Sequence, residues 1–419
     1  MEAKIEALTP EFWQWIENVD SNNPVALATS ARKVMEPETA SLALTQIEAR
    51  RKARNKIAPI LKHKEFIFPS SLLAEQCTHF RVAEFNASCC GDLQDKNVAD
   101  ITFGLGIDAF AFADKGASVQ AVDISSETVN AGNHNIRELG LDIKLMQDEA
   151  ICWLQKQVEE ETHFDVIFAD PARRLNSGGR AYSFDDCSPR LDDILESAEK
   201  LTSTLLVKTS PMLDVDAVLN RYPKISKLYA VGFKGECKEL LLKFDFSTHH
   251  EQKEIIAVEI DEDGSTSTFV VHWPWRNPKP SELKTETEKI EPQPGVWLCS
   301  VSAAVAKAYA GYAVMKQWPG LFPTQLSKRV FLARERPQGF PGRCLFIEEV
   351  FPSLRQAKQA VSGSKANVAC HDYPVSPEEL RKKLKLRPIA DDSRFLIGIS
   401  VGAKRYLLWC SDTPSTPKS

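Results

Sequence analysis

Two apolar runs each end on an acid, and a pair of glycines lies between them. Val98-Ala-Asp100 leads into Ile101-Thr-Phe103-Gly104-Leu-Gly106-Ile-Asp108, and Val119-Gln-Ala-Val-Asp123 ends on the second acid, followed by Ile124. Glycines let a tight strand-to-helix turn approach a ligand without Cβ obstruction, and the helix N-terminus adds free N–H groups. An acid at the tip of the next strand, about 20 residues on, is placed to take both hydroxyls of a ribose. Asp100, Phe103, Gly104, Gly106, Asp108, Asp123 and Ile124 are therefore the candidate residues for a nucleoside-bearing cofactor.

Dinucleotides want a third glycine so that the backbone can meet a pyrophosphate. Gly104-Leu-Gly106-Ile-Asp108-Ala lacks it, and Asp108 sets a negative charge where the diphosphate would lie. S-adenosylmethionine has ribose and adenine, no phosphate and a cationic sulfonium, so acids around the turn suit it. A lone G-x-G also occurs in structural turns, and the segments that follow carry the weight. Ile143-Lys-Leu-Met-Gln-Asp148 predicts a third strand whose acid suits the adenine amino group. Phe164-Asp-Val-Ile-Phe-Ala-Asp170-Pro171 and Leu205-Leu-Val-Lys208-Thr-Ser210-Pro211 predict two more buried strands with polar tips. Continuous apolar runs at this spacing indicate a parallel sheet, whose ligands sit at the carboxyl ends.

The region from about 80 to 246 resembles a class I S-adenosylmethionine-dependent methyltransferase. Asp100-x-Thr102-x-Gly104-x-Gly106-x-Asp108-Ala-Phe110 is similar to the first motif of ribosomal RNA guanine-N2 methyltransferases. The whole chain resembles a bacterial group of class I methyltransferases with a C-terminal THUMP-like domain. The resemblance implies a doubly wound α/β sheet, with Asp100, Gly104 and Gly106 in the methionine-side loop. It makes Asp123 the ribose acid, Asp148 the adenine contact and Asp170-Pro171 the catalytic motif. Phe103 stands where relatives often have a small residue or cysteine.

Asp170, Pro171 and Arg173 are the candidate catalytic residues. A strand-end acid before proline is rigid, and with its neighbouring carbonyl it can accept hydrogen bonds from an exocyclic amine and aim the nitrogen lone pair. Catalysis is then mainly alignment, because the cofactor brings the activated methyl. Ala172 replaces the second proline of D/N-P-P motifs, and no aromatic follows; Tyr182 and Phe184 are the nearest stacking candidates. Carbon methylation of uracil is the rival chemistry, because D-P-P-R enzymes of that kind resemble Asp170-Pro-Ala-Arg173. It needs a cysteine nucleophile. The Lys208 tip has none, and Cys187 and Cys237 are the nearest thiols.

These elements need a scaffold. At 419 residues the chain accommodates two or three domains. Residues 1–75 read as helical, opening at Thr9-Pro10, with a long pattern from Glu38 to Leu61 and a short helix at Ser70–Gln76. Residues 76–276 form the expected methyltransferase domain, closing with strands at 227–233 and 239–246 and a hairpin turned at Asp263-Gly264. Residues 277–295, rich in Pro, Lys, Glu and Thr, predict a linker. A ferredoxin-like or helical connector over 296–328, with a buried helix at Trp297–Met315, precedes a THUMP-like α+β domain over 329–412.

A hydrophobic content of 43% and charged content of 26% describe an ordinary globular protein. The first twenty residues carry too many charges for a secretory signal, and ten scattered cysteines without metal-ligand spacing point to reduced thiols in a cytoplasm. A net charge of −5 excludes a globally basic nucleic-acid binder, yet Arg50–Lys64 holds seven Lys/Arg and no acid, and five of the seven residues Arg381–Arg387 are basic. Either patch suits a phosphate backbone or merely a solvated helix face. The expectation is a cytoplasmic methyltransferase of an exocyclic base amine in ribosomal or transfer RNA. A methyltransferase of a protein or small molecule, and a non-catalytic RNA-binding or assembly protein with a relict pocket, are the alternatives.

Overall fold

The computed structural model describes residues 5, 8–19, 23–173, 187–248, 252–274, 290–308, 311–324, 329–391, 393–401 and 403–413. It divides into two compact units: Met1–Leu228 with Glu239–Glu251 and Glu262–Gly264, and Tyr229–Lys238 with Gln252–Asp261 and Ser265–Ser419.

The first unit opens with helices α1 (Pro10–Asn18), α2 (Pro24–Val34) and α3 (Pro37–Ala53), each with proline in its first turn, where the missing N–H costs nothing. Their shared core holds Phe12, Trp13, Ile16, Leu27, Ala43 and Ile47. Two short helices follow, α4 (Ser71–Gln76) and α5 (Phe80–Ser88). The strands and helices then alternate: β1 (Asn97–Asp100), α6 (Ile107–Asp114), β2 (Ser118–Asp123), α7 (Ser126–Leu139), β3 (Ile143–Gln147), α8 (Ala150–Glu159) and β4 (Val166–Ala169). A two-residue ladder joins β5 (Ala172–Arg173) to β6 (Cys187–Ser188), and α9 (Leu191–Leu201), β7 (Thr204–Thr209) and α10 (Val215–Arg221) follow. Strands β8 (Ile225–Phe233) and β9 (Glu236–Asp245) come next.

The sheet of this unit runs β9–β7–β4–β1–β2–β3, parallel except where β9 pairs antiparallel with β7. Strand order reverses between β1 and β4, so the carboxyl ends of these two strands form the crevice where such sheets take ligands. The parallel strands are apolar on both faces because helices cover both: β4 is buried at all four positions.

Two side-chain amides tie the N-terminal helices to this sheet's own layer of helices. Gln46 of α3 exchanges two 2.9 Å hydrogen bonds with the backbone of Phe68, and Asn135 of α7 exchanges two 2.8 Å bonds with Ile67. Each amide acts as a strand neighbour for a buried extended segment, satisfying backbone groups that would otherwise be costly. The basic run after Arg50 is largely occupied in the same region. Arg50 donates to the carbonyls of Lys64 and Phe66, Lys52 pairs with Glu48 and Glu75, Lys56 donates to the carbonyls of Glu75 and Cys77, and Lys64 pairs with Glu17. At least four of its seven cations thus have internal partners, which favours the solvated-helix reading of that patch.

The second unit contains the hairpin β10 (Lys253–Ile260) and β11 (Thr266–Trp273), and a seven-stranded sheet ordered β13–β14–β12–β15–β18–β17–β16. Its strands are β12 (Trp297–Val301), β13 (Leu321–Pro323), β14 (Val330–Ala333), β15 (Gly342–Phe351), β16 (Asn367–His371), β17 (Arg394–Val401) and β18 (Lys404–Ser411). Helices α11 (Ala303–Lys307) and α12 (Gly311–Gln317) follow β12, and α13 (Leu354–Val361) and α14 (Pro377–Leu384) flank β16. Period-two alternation sends Phe395, Ile397 and Ile399 into one core, and Leu396 into the other with Leu380 and Leu384. The helix expected over Trp297–Met315 is instead a strand followed by two short helices. Trp297–Val301 pairs antiparallel with both β14 and β15, so two ladders of backbone hydrogen bonds outweigh the helical pattern of large and small residues. Most of the expected linker, residues 275–289, lies outside the described residues. No helix among the described residues is long and apolar enough to cross a membrane.

Candidate functional site

The turn after β1 is shaped by two glycines with different duties. Gly106, at φ +82°, caps α6; a Cβ there would come within 2.4 Å of the Phe103 ring. Gly104, at φ +55°, would meet nothing closer than the Thr102 carbonyl at 3.9 Å, so its face is open to a ligand. Phe103 points its ring away from that face. It is 4% exposed, lies edge-on to Phe110 and closely approaches Gly132 of α7, where a Cβ would clash with it. The backbone of Phe103 borders the turn while its ring is buried.

Asp123 ends β2 facing this turn. Its carboxylate accepts the N–H of Gly104 at 2.9 Å through Oδ2 and the N–H of Ser125 at 2.9 Å through Oδ1, leaving further lone pairs for two hydroxyls. Ile124 beside it is 70% exposed, a large apolar side chain without a core and suited to the face of a purine. Asp148 lies just past β3, where its N–H donates to the Asp123 carbonyl at 3.2 Å. Its carboxylate accepts from Lys156 at 2.6 Å and from the Glu149 N–H, and the lysine holds its pKa below the ordinary value. That pair is solvent-exposed on the lysine side and exchanges at little cost.

Around the ends of β1, β4 and β7 the remaining acids converge on one lysine. Lys208 Nζ lies 2.5 Å from Asp170 Oδ2, 3.3 Å from Asp108 Oδ2 and 2.7 Å from Thr78 Oγ1. Asp108 is 6% exposed, although α6 begins at the ligand turn, and it also accepts from Asn86 and Thr78. Asp100 is 1% exposed and accepts the Thr102 N–H, while Thr102 Oγ1 accepts the Asp170 N–H at 2.6 Å. Burial pushes Asp100 up to about 8, and Glu239 of β9 likewise to about 8. Lys208, although buried, stays well above its ordinary value because Asp108, Asp170 and Glu239 face it. With Asp100 and Glu239 held protonated near neutral pH, the charge of this cluster rests on Asp108, Asp170 and Lys208.

The residues fit a nucleoside such as that of S-adenosylmethionine: an open glycine face, a strand-tip acid held by two N–H groups, an exposed apolar side chain beside it and the part-exposed carboxylate of Asp170. Gly104, Asp123, Ile124, Asp148 and Asp170 are at least partly exposed around the strand ends, whereas Asp100, Gly106, Asp108 and the Phe103 ring are buried. Pro171 continues from Asp170, and the backbone of Arg173 pairs with Cys187. The Arg173 side chain, Arg174, Tyr182 and Phe184 lie outside the described residues. Thr78, Asn86 and Glu239 carry no motif and are separated from Asp108 by long stretches of chain. Lys208 alone had a signal, a charge inside an otherwise apolar strand.

A family model described as THUMP domain-like matches residues 342–412, the segment from β15 through β18. Among solved structures, the chain is similar to a "putative methyltransferase" from Porphyromonas gingivalis W83, with 25% identity over 99% of both chains and a TM-score of 0.79. Two others overlap part of it. An S-adenosylmethionine-dependent methyltransferase from Agrobacterium tumefaciens has 14% identity over 47% of this chain and 61% of that chain, with a TM-score of 0.30. The T. thermophilus 16S rRNA N2 methyltransferase RsmC, in complex with AdoMet and guanosine, has 15% identity over 41% of this chain and 43% of that chain, with a TM-score of 0.32. The full-length match and the switch point between β1 and β4 give the chain the doubly wound fold of that methyltransferase, and residues 342–412 form a THUMP-like domain at its C-terminus.

Proposed function

We propose that this methyltransferase uses S-adenosylmethionine to methylate an exocyclic amine of an RNA base, in the cytoplasm. One observation carries the choice of acceptor: Asp170 stands at the tip of β4 with a 40% exposed side chain, its N–H held by Thr102 and its Oδ2 by Lys208. No described residue bonds its Oδ1, which is left to accept an N–H of the acceptor amine. Pro171 limits the motion of the acid, so the nitrogen lone pair is aimed and not merely bound. S-adenosylmethionine, when bound, supplies an activated methyl group. Asp123 and Asp148 then orient its nucleoside, and the carboxyls near Asp100 favour its cationic end. The THUMP-like domain supports RNA as the substrate class.

Carbon methylation of a pyrimidine is the second reading, favoured by the ladder that sets Cys187 opposite Arg173 and so close in the chain fold to Asp170-Pro171. Nucleoside mass spectrometry of total RNA from a deletion strain and its parent separates the two. Loss of an N-methylated base supports the proposal, loss of a C5-methylated pyrimidine supports the second reading, and an unchanged profile refutes both.

A further inference from the structure

Among the described residues, Lys208 is the cation beside Asp170, and its part in the proposed chemistry goes beyond a contact to Oδ2. It sits at the end of β7 with its side chain 11% exposed, bracketed by Asp170 at 2.5 Å, Asp108 at 3.3 Å and Thr78 at 2.7 Å. A lysine placed there only to neutralise buried acids would serve Asp108, which is 6% exposed and already accepts from Thr78 and Asn86. Its shortest contact is instead with the more exposed acid, Asp170. We infer that Lys208 is a positioning residue that keeps Asp170 ionised and turned with one carboxylate oxygen toward the acceptor nitrogen. This inference rests on the proposed amine methylation.

Burial raises the Asp170 pKa above its ordinary value, Asp108 adds to that, and Lys208 opposes both. Asp100 on β1, Asp108 on α6 and Glu239 on β9 are acids, and Lys208 on β7 is the cation opposing them. An opposite charge within ~4–6 Å lowers a carboxyl pKa by about one to three units. Take the ammonium away and Asp170 faces only acids, binds its proton more tightly and loses its amine-accepting form at higher pH. The proton released when the acceptor nitrogen gains its methyl also needs a base; Asp170 as carboxylate takes it from that nitrogen, becomes the neutral acid and returns it to water.

The test uses the full chain with S-adenosylhomocysteine as the binding probe and RNA from the deletion strain as acceptor. In protein labelled with 13C at aspartate Cγ, the Asp170 resonance is assigned by its loss in Asp170→Asn and followed with pH. Lys208→Met should move that titration, and the acid limb of the methyl-transfer rate, upward by about one to three units. S-adenosylhomocysteine affinity should change less than about threefold, and Lys208→Arg should return the limb toward wild type. An unmoved Asp170 titration or an unmoved limb overturns the inference. If Lys208→Met does not fold, Lys208→Gln, which keeps a hydrogen bond to Thr78 without the charge, gives the same reading; failure of both to fold makes the lysine structural and overturns it too. A wild type that binds no S-adenosylhomocysteine and methylates no RNA refutes the proposed function instead, and the titration still reports whether Lys208 sets the state of Asp170.

Discussion

The carboxylate of Asp123 accepts the backbone N–H of Gly104 at 2.9 Å, so the tip of one strand sets the shape of the turn after its neighbour. The acid therefore fixes the loop, and in the proposed function its remaining lone pairs face a ribose. A second backbone N–H, from Ser125, keeps the carboxylate in plane.

Asp123→Ala should weaken S-adenosylmethionine binding about ten- to hundredfold, from the loss of charged hydrogen bonds worth roughly 1.5–3 kcal/mol. Asp123→Asn keeps one acceptor oxygen for Gly104 or Ser125 and should lose less. Calorimetric titration of both variants measures the difference; unchanged affinity in Asp123→Ala would remove this residue from the cofactor site.

Asp170→Ala should lower methyl transfer far more than cofactor affinity, whereas Asp170→Asn should keep a fraction of the rate because an amide oxygen still accepts a hydrogen bond. The kcat and the dissociation constant, measured on one preparation, separate the two roles. A parallel loss of both would make Asp170 a cofactor ligand. Serine at Cys187 should leave transfer intact, and a covalent adduct between that thiol and 5-fluorouracil RNA would restore the carbon-methylation reading.

The two glycines should part company when given a methyl group. Gly106→Ala places Cβ within 2.4 Å of the Phe103 ring at a φ of +82°, so both overpacking and strain apply, and a loss of about 2–4 kcal/mol in unfolding free energy is expected. Phe103→Leu in that background should recover part of it. Gly104→Ala meets open space at φ +55°, and about 1 kcal/mol of strain is expected, with the larger effect on cofactor affinity. Denaturant melts and titrations on the three variants check the ranking.

That contrast also marks what was legible in the chain. The β1 to β4 strands, the glycine turn and both strand-tip acids followed from apolar runs and their polar ends, since each signal lies within about ten residues. The Lys208 cluster did not, because it is assembled from residues far apart in the chain that only the fold brings together. Phe103 reads as part of the cofactor loop, yet which side its ring takes was decided by Gly106 and Gly132, one of them on another helix. The Trp297 segment reads as a helix for a related reason: β12 is a strand because β14 and β15 flank it, and neither neighbour is visible from its own residues.

Glu239 should make folding stability fall as pH rises. Burial holds its folded pKa at about 8, against an ordinary value of 4.5. Between those two values the unfolded chain has released a proton that the folded chain keeps, so folding takes up a proton and stability declines across the window. Glu239→Gln removes its share of the titration and should make the profile shallower between pH 4.5 and 8, with Asp100, also held at about 8, supplying a remaining slope of the same sign. The variant should gain on wild type by on the order of a few kcal/mol at the upper end. Urea melts at several pH values across that window test this. A wild-type profile that rises through the window, or one that Glu239→Gln leaves unchanged, contradicts a neutral buried glutamic acid.

The basic turn at the end of α14 should contribute to RNA binding through phosphates and not through base identity. Lys382, Lys385 and Arg387 are exposed there, whereas Lys383 already pairs with Glu379 at 2.6 Å one turn back. Removing one lysine–phosphate pairing lowers the slope of log affinity against log salt by roughly 0.7–0.9. Lys382→Gln with Lys385→Gln should therefore reduce the slope by about 1.5 and weaken binding at low salt, with little change at high salt. Lys383→Gln, which first breaks an internal pair, should have the smaller effect. Point changes are the right tool, because deletion from residue 296 would leave β10 and β11 without the rest of their compact unit. If the charges only keep a helix soluble, neither affinity nor slope will move, and RNA contact must be sought on another face of the THUMP-like domain.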